Sequence, residues 1–209
     1  MEKALIELWQ ISWESVGWEP RILTEADLPK DRTSRALLKA FRRHPSLNRR
    51  GLDYSCFARW LAVVQQGGGF MCDYDVMNYH FEPRQAGELT LYERHVPCLV
   101  SGTAGEFLRM CQIFATYHAG SKDRVGRHLH ISDMTILDRI PGAYLQRHDC
   151  IEYASEGWEK ASAVHFSNFA MKPRGFLPRH QHIPRLRPLS VPTTAPLSEI
   201  RIKLGSMDR

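Results

Sequence analysis

No apolar run in the 209-residue sequence approaches the length of a membrane span, so the residues offer no transmembrane helix. No internal repeat is visible. Cysteine is sparse and unpatterned: Cys56, Cys72, Cys98, Cys111 and Cys150 are odd in number and lack C-x-x-C spacing. A disulfide framework or a zinc site is therefore not expected, and buried free thiols in a reducing compartment fit better. The first residues mix Glu2, Lys3 and Glu7 with Leu5, Ile6 and Leu8, the mark of an amphipathic helix and not of a signal peptide. A soluble, cytoplasmic protein is expected.

Acidic residues are missing from one stretch. The net charge is +5, and the excess is concentrated in 172–187, where Lys172, Arg174, Arg179, Arg185 and Arg187 stand without a single acid. Pro173, Pro178, Pro184 and Pro188 punctuate that run, which argues against a helix or a central strand. The expected division is a globular domain over 1–171 and a flexible, basic, Pro-rich tail over 172–209. Such a tail can make weak contact with an anionic membrane surface. It lacks the aromatic interleaving of single-strand binders, so no nucleic-acid partner is expected.

The most informative segment is Asp73-Tyr74-Asp75, which ends the apolar run Phe70, Met71, Cys72 after Gly67, Gly68 and Gly69. On a strand, residues two apart face the same side. Two carboxylates held that way cannot be buried unpaired. A hard divalent cation satisfies them, and keeps open positions for phosphate oxygens. The plain alternative is a loop of two solvated aspartates. Before this segment, Asp53, Tyr54, Phe57, Trp60, Leu61 and Val64 recur at the spacing of one helical face, with Asp53 at the expected N-cap. The glycines stop that helix.

Helix, glycine stop, apolar strand and D-x-D together resemble the donor-site core of GT-A glycosyltransferases. More narrowly, 54–76, with Arg59, the glycines and Asp73-Tyr74-Asp75, is similar to DXD-containing sugar-transferase regions. The resemblance is strong over 52–81 and diffuse elsewhere. It implies a metal–diphosphate site with Asp75 as a direct ligand of Mn2+ or Mg2+, and Asp73 on the ribose or a metal-bound water. It also implies an Arg59 contact to the donor's sugar or diphosphate. His165, in the apolar strand Ala163-Val164-His165-Phe166, is similar to the additional metal ligand of several GT-A enzymes; its imidazole would favour manganese. The chain departs from the pattern at Cys56, where relatives carry an aspartate three residues before the arginine. Asp53 is the nearby acid that can substitute. Relatives also begin with an apolar strand ahead of the first helix; here the sequence starts directly in a helix, and that strand is expected to be missing.

Two further residues carry open alternatives. Asp133 opens a helix after His130-Ile131-Ser132, either as a cap or first-turn acid, or as a contact to sugar or acceptor and general base of an inverting transfer. Trp158 either packs in the core or stacks on a sugar or nucleobase.

Helices alternate with strands early and strands cluster late, so an α/β fold is expected, with a mixed, mainly parallel sheet flanked by helices in the Rossmann-like manner of GT-A enzymes. The implied function is transfer of a sugar from a nucleotide-sugar donor to a glycan or other hydroxyl acceptor. Two alternatives stand beside it. One is a catalytically silent α/β domain acting as an interaction module. The other is a D-x-D phosphatase, which wants a hydroxyl residue where Met77 stands.

Overall fold

Apolar residues three and four apart, and hydroxyl or carboxylate caps at helix starts, set the helical half of the fold. A computed structural model describes residues 3–48 and 51–189. In chain order its elements are α1 (Lys3–Glu14), α2 (Arg32–Phe41), α3 (Leu52–Gln65), β1 (Gly68–Cys72), β2 (Val76–Asn78), β3 (Thr90–Glu93), β4 (Val96–Thr103) and α4 (Ala104–Thr116). Then come β5 (Arg124–Val125), β6 (His128–Leu129), α5 (Asp133–Arg139), β7 (Leu145–Gln146), β8 (Cys150–Glu152), β9 (Ala163–His165), α6 (Asn168–Met171) and α7 (Arg179–Leu186). Asp31, Thr103 and Ser132 cap α2, α4 and α5 by accepting backbone N–H groups of Ser34, Glu106 and Thr135. Asp53 is not the cap of α3: Gly51 takes that position and Asp53 lies in the first turn.

The class is mixed α/β, as expected. One sheet runs β1-β4-β3-β7, a second β2-β9-β8, and β5-β6 form a separate pair. The expected predominance of parallel strands is corrected. Among the described residues β1–β4, β3–β4, β2–β9 and β5–β6 are antiparallel, and only β3–β7 and β8–β9 are parallel. Connection length explains part of this. Only Arg94 and His95 join β3 to β4, whereas a parallel neighbour needs a crossover of a dozen or more residues. Between α1 and α2 the chain runs irregularly into a single 3-10 turn, Glu25–Asp27.

The period of two along the strands divides the interior into two apolar cores. Met71, Leu91 and Val100 join the core made by Phe57, Trp60 and Leu61 of α3 with Phe107, Met110 and Phe114 of α4. Their chain neighbours Phe70, Tyr92 and Leu99 turn the other way, into a core shared with α1, β2 and β9. α1 is docked there by hydrogen bonds as well as by packing. The Trp13 indole N–H donates to the Val76 carbonyl at 3.0 Å, and Ser12 Oγ accepts the Asn78 N–H at 3.1 Å.

The tail departs most from expectation. Residues 172–189 are packed against the body, through a 3-10 turn at Lys172–Arg174 and then α7. Pro184 removes one backbone donor in an eight-residue helix, a loss offset by full burial of Ile183 and near-full burial of Arg179. Arg187 donates to the carbonyls of Trp158 and Ala161 at 2.9 and 3.0 Å, and its guanidinium stacks 3.8 Å from the centre of the Tyr79 ring. Residues 190–209 lie outside the described residues.

Gly68, where α3 has ended and β1 begins, has φ +91, and a Cβ there would meet the Ala104 nitrogen at 2.5 Å. Gly68→Ala is therefore expected to destabilise the chain by at least about 2 kcal/mol, combining left-handed strain with displacement of backbone. Urea unfolding measures it. A loss below about 0.5 kcal/mol would contradict the close β1–α4 approach.

Candidate functional site

Asp73-Tyr74-Asp75 lies where expected, at the carboxyl end of β1, but the two aspartates are not on a strand. The Asp73 N–H still donates to the Cys98 carbonyl at 2.8 Å, continuing the ladder, and the Val76 N–H then donates to the Asp73 carbonyl at 3.1 Å. The segment is thus a tight turn between β1 of one sheet and β2 of the other. The Asp75 carbonyl accepts the Phe166 N–H at 2.8 Å, which pins the turn to the end of β9. This turn, and not strand pleating, brings the two carboxylates to the same place.

His165 arrives from β9. Its Nε2 lies 3.5 Å from Asp75 Oδ1, and its Nδ1 lies 2.9 Å from Glu93 Oε2 at the end of β3. Each of Asp73, Asp75 and His165 offers a ligand atom within 4.8 Å of the others. The donor set suits a divalent ion: two carboxylates, one imidazole, and a carboxylate behind that imidazole to orient it. The expected grouping of Asp73, Asp75 and His165 is therefore brought together spatially.

Arg59 reaches the same place from α3. One Nη contacts an Asp73 carboxylate oxygen at short range. The other Nη donates to the Pro97 carbonyl at 3.1 Å and to Asp133 Oδ2 at 3.2 Å. Arg59 Nε is buried and has no hydrogen-bond partner among the described residues. Burial opposes its charge, but Asp73 and Asp133 hold the guanidinium firmly protonated. Asp133 occupies the first turn of α5, with Ser132 as the cap, and is buried. Its Oδ2 also accepts the Trp60 indole N–H at 3.1 Å, and Oδ1 accepts the Met134 N–H at 2.8 Å. Asp133 holds Arg59 and Trp60 in place; its oxygens are engaged in that work.

Burial raises the Asp73 carboxyl to about 6 against the lowering pull of Arg59, and the like charges of Asp75 and Asp133 add to the rise. Burial also disfavours the imidazolium of His165, yet Cys98 and the carboxylates of Glu93 and Asp75 keep it protonated well above the ordinary histidine range. An incoming cation competes with that proton. Asp73, Asp75, Glu93 and Asp133 face Arg59, Arg179 and a protonated His165, so these seven groups together hold one excess negative charge.

Two of the expected site residues lie elsewhere. Asp53 is buried under the loop before α3, accepting from Ser46 Oγ and, at 3.0 Å, from Asn48 Nδ2, with His130 Nδ1 at 3.8 Å. It fastens a loop and takes no part in the Asp73–Asp75–His165 group. Trp158 packs edge-on against Tyr153 at 4.8 Å between ring centres, the core alternative. Cys56, at the departure from the sugar-transferase pattern, is a thiol that burial pushes up to about 12.

Two participants were not foreseen. Glu93 ends an alternating strand, and nothing in its spacing distinguishes it from a surface acid. Arg179 sits in the basic run read as a solvated tail. It is 5% exposed, and its Nη1 donates to Asp75 Oδ2 at 2.5 Å and to the Phe166 carbonyl at 3.1 Å. Its guanidinium also lies 5.9 Å from the centre of the Tyr74 ring.

Comparison with protein-family models, curated proteins and solved structures found no match to this chain.

Arg179→Ala leaves the Asp75 carboxylate without its guanidinium and unpins α7. Removing one partner of a largely buried pair costs about 3–5 kcal/mol. Chemical denaturation should show a loss of that order; a loss under about 1 kcal/mol would mean that the α7 contact contributes nothing to folding.

Proposed function

We propose that the chain is a metal-dependent glycosyltransferase, moving a sugar from a nucleotide-sugar donor to a glycan or other hydroxyl acceptor. The observation that carries this reading is the convergence of Asp73, Asp75 and His165 beside the Arg59 guanidinium. The part of the chain that supports a GT-A relationship is the α3–glycine–β1–D-x-D unit; a mainly parallel sheet forms no part of the reading. Asp75 and His165 would hold Mn2+ or Mg2+, with Asp73 on the ribose or on a water of the ion. A divalent ion in this position supplies positive charge to the departing nucleoside diphosphate.

The protein's own contribution is preorganised charge. Arg59 is fixed by Asp133 and the Pro97 carbonyl before any ligand arrives, so orienting it during reaction costs little. Glu93 accepts from His165 Nδ1, which leaves Nε2 to face Asp75 and the ion. Asp133, with both oxygens hydrogen-bonded, suits the positioning of Arg59 better than proton abstraction, so this reading assigns no general base among the expected residues. Free thiols are the reason to place the protein in the cytoplasm. No helix among the described residues is long and apolar enough to cross a membrane.

One observation favours the silent interaction module. Each aspartate of the pair already has an arginine partner, Arg59 on Asp73 and Arg179 on Asp75, so much of their charge is balanced without an ion. Thermal unfolding with Mn2+ and uridine, guanosine or cytidine diphosphate separates the readings. The transferase reading predicts manganese-dependent stabilisation by one of them, about 2.7 kcal/mol at a hundredfold excess over Kd. In Asp75→Asn that ligand-induced increment disappears, measured against the variant's own ligand-free Tm. No increment with any of the three diphosphates supports the silent module.

A further inference from the structure

Behind the carboxylate pair lies a second cluster of donors that sugar transfer does not require. Glu93 closes β3, Cys98 lies in β4, Cys150 in β8 and His165 in β9, so four strands of the two sheets deliver one donor each. Cys98 and Cys150 are buried, and Glu93 and His165 are largely so. Glu93 Oε2 lies 3.0 Å from Cys98 Sγ, 3.8 Å from Cys150 Sγ and 2.9 Å from His165 Nδ1. The donor atoms of Glu93, Cys98 and Cys150 all fall within 4.8 Å of one another.

The sulfur spacing is informative. Cys98 Sγ and Cys150 Sγ are 3.8 Å apart, far beyond the roughly 2.05 Å of a disulfide. Two thiolates bound at about 2.3 Å to a tetrahedral ion sit about 3.8 Å apart. We infer that Cys98, Cys150 and Glu93, with His165 Nδ1 as the fourth donor, form a buried site for a thiophilic divalent ion, zinc in particular. C-x-x-C spacing is absent because strands of two sheets, not a local loop, assemble the ligands; cysteine spacing alone therefore argues against zinc.

A purely hydrogen-bonded cluster is the competing account, and it fits less well. The His165 imidazolium meets the Glu93 carboxylate, but the two thiols beside it are weak donors that gain little from hydrogen bonding alone. Thiolate ligands select zinc over magnesium or manganese, which prefer oxygen. Binding displaces the two thiol protons and one imidazolium proton to solvent, with no change in oxidation state. The bound cluster then carries one net negative charge: two thiolates and one carboxylate against a divalent ion.

His165 connects this site to the Asp73–Asp75 group. With zinc on Nδ1, the proton stays on Nε2 and points at Asp75, 3.5 Å away. With an ion on Nε2, the proton stays on Nδ1 and points at Glu93. The neutral ring serves one site or the other. The zinc site does not rest on the transferase reading.

The test is titration of Zn2+ and of Co2+ into the reduced, chelator-treated full chain. One zinc per chain is expected, with affinity at least about tenfold weaker in Cys98→Ser and in Cys150→Ser, and about tenfold weaker in Glu93→Gln. The cobalt form should show thiolate-to-metal charge-transfer absorption and the visible bands of a tetrahedral centre. Cys56→Ser should bind zinc as the wild type does, and zinc uptake is read without any nucleotide, which keeps the site's fate independent of the nucleotide experiment. No zinc uptake, uptake unchanged in the Cys98→Ser/Cys150→Ser double variant, or a cobalt spectrum without thiolate absorption overturns the assignment. Should the serine variants fail to fold, alkylation mapping of the wild type decides: zinc should slow modification of Cys98 and Cys150 relative to Cys56, and equal rates with and without zinc overturn it.

Discussion

The interior of this protein is organised around one partly buried cation, Arg59. It is drawn into the junction of α3, β1, β4 and α5, where 25% of its side chain stays exposed and most of its charge is met by the chain. Asp73, Asp133 and the Pro97 carbonyl meet it. Because Asp133 also takes the Trp60 indole N–H, the largest aromatic side chain of the helical core is tied to the same network. Breaking any member strands a charge inside, which is costly enough to hold α5 and the β1–β2 turn in fixed positions. Arg59 therefore holds the fold together and places positive charge beside the D-x-D turn.

A second arginine gives the site its other wall. Arg179 anchors α7 to Asp75 and brings the carboxyl-terminal part of the described chain over the turn. Any ion at Asp75 must share that carboxylate with a guanidinium. His165 faces a similar competition, with Asp75 on one ring nitrogen and Glu93 and the two thiols behind the other. The site's chemistry is set by competition for a few shared carboxylates and one imidazole, and the sheet junction fixes who the competitors are.

Local sequence carried the helix of 52–65, its glycine stop and the position of Asp73-Tyr74-Asp75 at the end of β1, though the cap expected at Asp53 falls to Gly51. Those features depend on spacing and turn chemistry within about twenty residues. What stayed hidden depends on pairing across the chain. Antiparallel closure of β4 onto β1 and β3 cannot be read from either strand alone. Glu93 looks like a surface acid until β9 places His165 beside it. Arg179 and Arg187 look solvated until Asp75 and Tyr79 supply buried partners, and that docking overrides the proline count in 172–187. Asp53 shows the opposite error: as the acid nearest the Cys56 departure it was expected at the donor site, while the loop holding Ser46 and Asn48 claims its oxygens.

The central claim is that Asp73, Asp75 and His165 form a divalent-cation site beside a fixed Arg59. Anomalous diffraction at the manganese edge, from crystals grown with Mn2+ and a nucleoside diphosphate, tests it most directly. The account predicts one manganese peak within bonding distance of Asp75 and His165, with diphosphate oxygens next to Arg59. Manganese found only elsewhere, with Arg179 still on Asp75 and no phosphate at Arg59, would contradict it.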